Sequence, residues 1–600
     1  MTVRSKKLPE IAVATKQGPA ALACGSQSHP LVRQTAEWLL DYLGKRGLLA
    51  DEAALSQSGA SLWVLETRAE HPISAGLDID TSFLDRARPE SYILSVQRLD
   101  RRAVVAVIGR DADGVRAGVA RLIALLKDVD GDLFSAQLRE ETQPFYRVRR
   151  FGIDPTGRLA QNGPYADTLA ENWTDERLRA YIEQIWLMGF NAVEVTEIRV
   201  YIAKFTDDEL AEKITPKVRT MMAAARDYGL KVYQFVWAQC LVVEGKTLCW
   251  NDPEERETMK REYDRLARTY GDLVDCIIVH VRDPGGCTRN GCDGYRTPQQ
   301  LAVQLLAAYR RVNPKVEAVL STWANPGFWR GAPADVLLGE AYMPREIGIA
   351  LHRWYDRDEA RMVRESGRAL EIWSWYLGDF EMALDMTLNM TNIDRYYSAL
   401  PDRASREVRA INSETCFHAL PSIINGYVAA QKMWNPRRSL DEILREFCAG
   451  MFGQANAEAM VAVYRACEKY VHKDRCYAYR PETDLLPDVF GTAAYNRELR
   501  RAIEMGQAVK LSPNPRFTQA TDPRVLYDYL MRNVRLISVF SHAAGTINAS
   551  GETSAEAKAA VDAAIREAAA WTDDADYPTL LKRLPSDLVP EEAGKSEVPK

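Results

Sequence analysis

Between residue 147 and about residue 432 the sequence repeats one unit. A short, strongly apolar segment is followed by ten to twenty residues with the spacing of an amphipathic helix. The apolar segments run Arg150-Phe-Gly-Ile-Asp154, Ala192-Val-Glu-Val-Thr196, Lys231 to Trp237, Cys276 to Val281, Glu317 to Trp323, Asp335 to Glu340, Ala369 to Trp375 and Val408 to Glu414. Helical segments such as Asp175 to Met188, Pro216 to Tyr228, Pro253 to Tyr270 and Pro298 to Val312 lie between them. Eight such units in about 285 residues have the length and rhythm of a (β/α)8 TIM barrel. A doubly wound open sheet is the competing arrangement, but no Gly-rich phosphate turn follows the early strands.

The flanking regions read differently. Residues 1–146 predict a small α/β domain, with strands at Glu10-Ile-Ala-Val-Ala14, Ser61 to Leu65, Glu90 to Val96 and Ala103 to Gly109, and helices starting at Pro30 and Asp111. Residues 433–600 predict a helical region ending in a loose tail rich in Pro, Glu, Lys and Gly. The expected fold class is therefore α/β: a barrel over 147–432, preceded by a small domain and followed by helices.

The 77 Lys and Arg stand against 83 Asp and Glu, a net charge of −6. That balance argues against nucleic acid or an anionic membrane as a partner held by bulk charge. No apolar run is long enough to span a bilayer. The N-terminus carries Lys and Arg, but the apolar stretch after it is too short and interrupted for a secretory signal. The expected location is the cytoplasm, or outside it if a leader is absent from this chain. The sequence is compatible with a homo-oligomer.

In a barrel of this kind chemistry gathers at the carboxyl ends of the strands. Here those ends carry acids, amides and large aromatics: Asp154, Glu197 with Glu194 three residues before it, Trp237 and Gln239, His280-Val-Arg282-Asp283, Trp323-Ala-Asn325, Glu340-Ala-Tyr342, Trp373-Ser-Trp375 and Asn412-Ser-Glu414. Carboxyl groups suit glycosidic cleavage, where one acts as acid and another as base or nucleophile through an oxocarbenium-like state. Indole faces pack on sugar C–H faces, while acids and amides accept hydrogen bonds from hydroxyls. Asp283, Glu340 and Glu414 are the candidate catalytic carboxylates. Asp283 has Pro284-Gly-Gly behind it, an abrupt backbone exit. Arg149, Asp154, Glu197, His280, Arg282, Trp323, Tyr342, Trp373 and Trp375 are expected to shape the sugar subsite. Glu194 and Glu197 are an odd number of residues apart, so one of them faces inward, and Glu197, nearer the strand end, is favoured. Glu371, inside its strand, reads as an acid of the barrel interior.

Four cysteines follow the third and fourth strands. Cys287-Thr-Arg-Asn-Gly-Cys292 has the form of half a zinc knuckle, and Cys240 with Cys249 can supply the other half. Disulfides or free thiols are the alternative readings. A catalytic zinc is disfavoured, because an all-sulfur site leaves no open position. No cofactor is otherwise expected.

These residues carry a resemblance. Glu90-Ser-Tyr-Ile-Leu-Ser-Val96, Val104 to Gly109 and Asp113-Gly-Val-Arg-Ala-Gly-Val-Ala-Arg-Leu122 resemble the small domain that precedes the barrel in family 20 β-N-acetylhexosaminidases, and in family 67 α-glucuronidases. Arg149-Arg-Phe-Gly-Ile-Asp154 looks like the hexosaminidase opening, where the resemblance implies that Arg149 grips the sugar. His280-Val-Arg-Asp283 sits where that family has His followed by an Asp–Glu pair, but Pro284 stands at the position of the acid Glu. Val319 to Glu346, and Glu414 through Tyr427 to Trp434-Asn-Pro, look more like α-glucuronidases. The resemblance covers roughly residues 85–450.

The sequence thus points to an exo-acting glycoside hydrolase with a carbohydrate substrate. Arg149 and Arg282 can pair with a substrate carboxylate, which favours uronic acids. The alternatives are a hexosaminidase-like enzyme, a carbohydrate-binding barrel without catalysis, and a hydrolase that uses metal at the cysteines.

Overall fold

The computed structural model describes residues 10–25, 28–50, 61–70, 73–100, 102–153, 173–196, 208–239, 242–243, 246–280, 287, 289–292, 296–322, 343–351, 357–373, 388–399, 410–415, 423–470, 489–512, 520–571, 581 and 583–589. It divides into two compact units, the first built mainly on residues up to Arg147.

The first unit is organised by β5 of its eight strands, β1 (Glu10–Ala14), β2 (Ala20–Cys24), β3 (Ser61–Thr67), β4 (Tyr92–Leu99), β5 (Arg102–Gly109), β6 (Lys127–Val129), β7 (Asp132–Ala136) and β8 (Leu138–Thr142). The Ala103-Val-Val-Ala-Val-Ile stretch of β5 is buried throughout, so the strand takes the middle of a five-stranded sheet of order β2-β3-β5-β4-β8. Strands β3 and β5 run parallel, β4 runs antiparallel to β5, and β8 runs antiparallel to β4. The helix Ala112–Leu125 starts where the Asp111 carboxylate accepts the Gly114 N–H at 2.9 Å. A smaller antiparallel sheet joins β1, β7 and β6.

In the second unit the strands are β9 (Val148–Ile153), β10 (Ala192–Thr196), β11 (Lys231–Trp237), a two-residue hairpin β12 (Val242–Val243) and β13 (Lys246–Thr247), β14 (Cys276–His280), β15 (Glu317–Ser321), β16 (Gly348–Leu351), β17 (Leu370–Ile372) and β18 (Ala410–Thr415). Apart from the hairpin they pair in parallel in chain order, and β18 pairs back onto β9, so the sheet closes on itself. Their near-continuous apolar runs fit strands covered on both faces. Among the described residues each strand of the ring except β15 is followed by a helix. The first is Asp175–Met188 and the last Ile423–Trp434. The helices Leu440–Phe452, Ala457–Glu468, Ala493–Gln507, Pro523–Ser550 and Ala555–Trp571 follow. Gln184 reaches from the first barrel helix to the start of Pro523–Ser550, donating to the Thr521 hydroxyl at 3.1 Å. No helix among the described residues is long and apolar enough to cross a membrane.

The sixth strand differs from expectation. It is Gly348–Leu351, paired with β15 and β17, and not the Asp335 to Glu340 run. The Asp335 to Glu340 run lies outside the described residues. A four-residue strand opening on glycine carries little pattern of its own. The glycine is there for space: a Cβ at 348 would lie 2.8 Å from the Ala369 carbonyl oxygen and 2.9 Å from Val319 Cγ1.

Candidate active site

Side chains on strands that are not neighbours touch only across the interior of the closed sheet, and two layers of such contacts define the site. In the lower layer Arg150 of β9 donates to Glu371 of β17 and pairs with Glu194 of β10, Nε to Oε2, at 3.2 Å. Its guanidinium also lies 4.5 Å from the centre of the Tyr233 ring. Arg150, Glu194 and Glu371 are buried, with no more than 1% exposure. Burial works against the charged guanidinium, but the adjoining Glu371 and Glu194 carboxylates outweigh it and raise the pKa of Arg150. The arginine therefore stays protonated, and the triad is a fixed charge cluster.

Above it, Phe235 and Trp237 of β11, His280 of β14 and Trp373 after β17 form an aromatic layer. His280 lies 4.3 Å from Phe235, 4.7 Å from Trp373 and 5.6 Å from Trp237 between ring centres. Trp237 and His280 are paired in register as the last residues of their strands, which places this layer at the carboxyl end of the ring. The layers are tied together by the Trp373 indole N–H, which donates to Glu194 Oε1 at 2.8 Å. Beyond the strand end, Tyr263 of the helix Pro253–Tyr270 donates its hydroxyl to the Ala238 carbonyl, and Gln239 accepts the Cys287 N–H at 3.2 Å. The result is a rigid floor, aromatic on top and charged beneath.

Of the expected subsite residues, His280 and Trp373 are brought together here. Arg149 is not. Its guanidinium sits 4.7 Å from the Trp434 ring on the helix Ile423–Trp434, and Phe151 on the same face of β9 packs on Tyr181 of the helix Asp175–Met188. The interior arginine is Arg150, because a strand alternates its faces and the neighbouring position must point the other way. The described interior acid of β10 is Glu194, while the favoured Glu197 lies outside the described residues. Glu340 and Tyr342 fall before β16 in the chain, so neither ends the sixth strand. Asp154, Glu197, Arg282, Asp283, Trp323, Glu340, Tyr342, Trp375 and Cys240 lie outside the described residues. Position 414 is described only as backbone in β18, in register with Gly152 of β9, itself in register with Glu194. Sequence reading missed Arg150 and Phe235 as parts of the floor. The signal for Arg150 was an unusual one, a charge inside an otherwise apolar strand.

Three of the four cysteines converge on the same side of the ring. Cys249, Cys287 and Cys292 are buried, with their Sγ atoms all within 4.8 Å of one another. Cys249 and Cys292 are 3.7 Å apart, sulfur to sulfur. Burial first, and then the neighbouring Cys249, push the Cys292 thiol up to about 11.

No known family model matches the chain, and no curated protein matches it in sequence. Solved structures do match it in fold. The chain is similar to CpGH84B, with a TM-score of 0.53 at 11% identity, covering 96% of this chain and 97% of that one. A GH138 enzyme targeting pectin rhamnogalacturonan II gives 0.55 at 10% identity, covering 94% and 93%. The GH115 4-O-methyl-α-glucuronidase BtGH115A, with specificity for decorated arabinogalactans, gives 0.58 at 13% identity, covering 94% and 76%. At such identities the likeness concerns the fold: this chain is built, over nearly all its length, as these glycoside hydrolases are.

Proposed function

We propose that the protein is an exo-acting glycoside hydrolase of the TIM-barrel type that removes a terminal sugar, a uronic acid by preference, from a glycan. The observation that carries the reading is the aromatic layer at the carboxyl end of the closed sheet, Trp237, His280 and Trp373 over the Arg150–Glu194–Glu371 cluster. The layer is buried, His280 and Trp373 completely and Trp237 to 6% exposure, so its proposed part is to support a sugar subsite from within the ring, with the glycosidic chemistry supplied by carboxylates. The fold shared with glycoside hydrolases supports the same conclusion.

Asp283 and Glu414 are the proposed working pair. Asp283 follows His280 by three residues at the fourth strand, and position 414 stands near the end of β18. Glu340, outside the described residues, is the proposed third. Glu194 and Glu371 are both paired with Arg150 and serve to hold the floor. With Arg149 committed to Trp434, the preference for uronic acids rests on Arg282 and on the similarity to a glucuronidase fold. Side chains perform the reaction, and no cofactor enters it. Residues 1–146, 147–432 and 433–600 are proposed as the small domain, the barrel and the helical region.

A panel of aryl glycosides tests the reading. Aryl glucuronides are expected to release the aryl group fastest, with aryl N-acetylglucosaminides and neutral glycosides behind. Hydrolysis of N-acetylglucosaminides alone contradicts the proposed substrate, and hydrolysis of none contradicts the enzyme.

A further inference from the structure

The cysteine cluster lies outside the proposed catalytic pair, and its three buried sulfurs meet in a specific geometry. Cys249 follows the β12–β13 hairpin after β11, while Cys287 and Cys292 bound a loop after β14, so three sulfurs from two loops meet at one point. The second loop is shaped around its sulfurs. Asn290 and Gly291 take positive φ angles of 52° and 71°, turning the chain so that Cys292 returns beside Cys287. Inside that turn the Arg289 N–H donates to Cys287 Sγ at 3.3 Å, and the Asn290 side-chain amide donates to Cys249 Sγ at 3.7 Å. Both sulfurs thus have an N–H donor directed at them. The loop is then braced from outside: Arg289 pairs with Glu255 at 2.7 Å, Glu255 accepts the Cys249 N–H, and Asn251 donates to the Asn290 carbonyl at 2.9 Å.

We infer that Cys249, Cys287 and Cys292 form a thiolate site for a single zinc-type divalent cation, which staples the loops after β11 and β14. A tetrahedral ion with metal–sulfur bonds of about 2.3 Å separates its sulfurs by about 3.8 Å. The 3.7 Å between Cys249 and Cys292 matches that edge. The same closeness favours one ion over a polynuclear cluster, and three sulfurs select a soft or borderline metal over magnesium or calcium. Each thiol gives up its proton to solvent as the ion binds, so no oxidant is involved. The staple holds Cys287, which anchors one end of the six residues that separate it from His280. The proposed Asp283 is among those six, so the ion is a positioning element for the site and not a participant in the reaction.

Metal analysis of the full chain, purified under reducing conditions without added metal, tests this independently of activity. The expected result is a single zinc per chain, lost in Cys287→Ser and in Cys249→Ser but retained in Asp283→Asn. Retention in Asp283→Asn separates the metal site from the glycosidase reading, since the former can stand if the latter fails. Should the serine variants not fold, the wild-type protein stripped with a chelator and refilled with Co²⁺ answers the same question. An intense sulfur-to-cobalt absorption band supports the site. A chain isolated without metal that also gives no such band with cobalt overturns it. So does a chain two hydrogens lighter, with a disulfide between Cys249 and Cys292.

Discussion

A guanidinium removed from water is costly unless carboxylates surround it, and replacing one partner of a buried ion pair leaves the others uncompensated. Arg150 is in that position, between Glu194 and Glu371, with Tyr233 beneath it. Changing Arg150 to Met keeps much of the volume and removes the charge, leaving two carboxylates in the interior. The expected loss is about 3–5 kcal/mol of unfolding free energy, read from the shift of a urea transition. A loss under about 1 kcal/mol, the range of exposed pairs, means the cluster does not support the floor as described. The residue scale is also where sequence reading was weakest. A charge in an apolar strand identifies an interior site, but Arg149 and Arg150 stand side by side, and composition does not tell which is inside. The partners do: Trp434 for one and two acids for the other. Glu371 was legible as an interior acid because it is flanked by apolar residues in mid-strand. Glu194 and Glu197 were separable only in part, since alternation says that one faces inward without saying which.

Most strands of the ring were legible because a strand covered on both faces must be apolar throughout. β10, β11 and β14 lie within a residue of where the pattern places them. The exception, β16, is brief and begins with Gly348, so tertiary contact and not local pattern determines it. Gly348→Ala is therefore an informative change. Its new methyl meets the Ala369 carbonyl and Val319, and overpacking of this kind costs about 1–3 kcal/mol. Thermal unfolding is expected at a lower temperature for this variant. A Tm equal to wild type would say that the sixth strand is elsewhere. The long helix Pro523–Ser550 lies in the region expected to be helical, with Asp522 capping it and Pro523 at its first position.

At the scale of the whole molecule, length and rhythm carried the most information. A repeat of apolar segment and helix has few ways to close, and the fold that results is similar to that of glycoside hydrolases at 10–13% identity. Identity that low preserves an architecture without preserving a motif, which is why the sugar was not legible and the fold was. The central claim is that Asp283 and Glu414 cleave a glycosidic bond. The most direct measurement is turnover of the best aryl glycoside by Asp283→Asn and Glu414→Gln, with sugar binding followed in the same variants. The account predicts a loss of about two to four decades in kcat in at least one of them, with binding retained. Turnover at the wild-type rate in both, or sugar binding with no turnover even in the wild type, contradicts it.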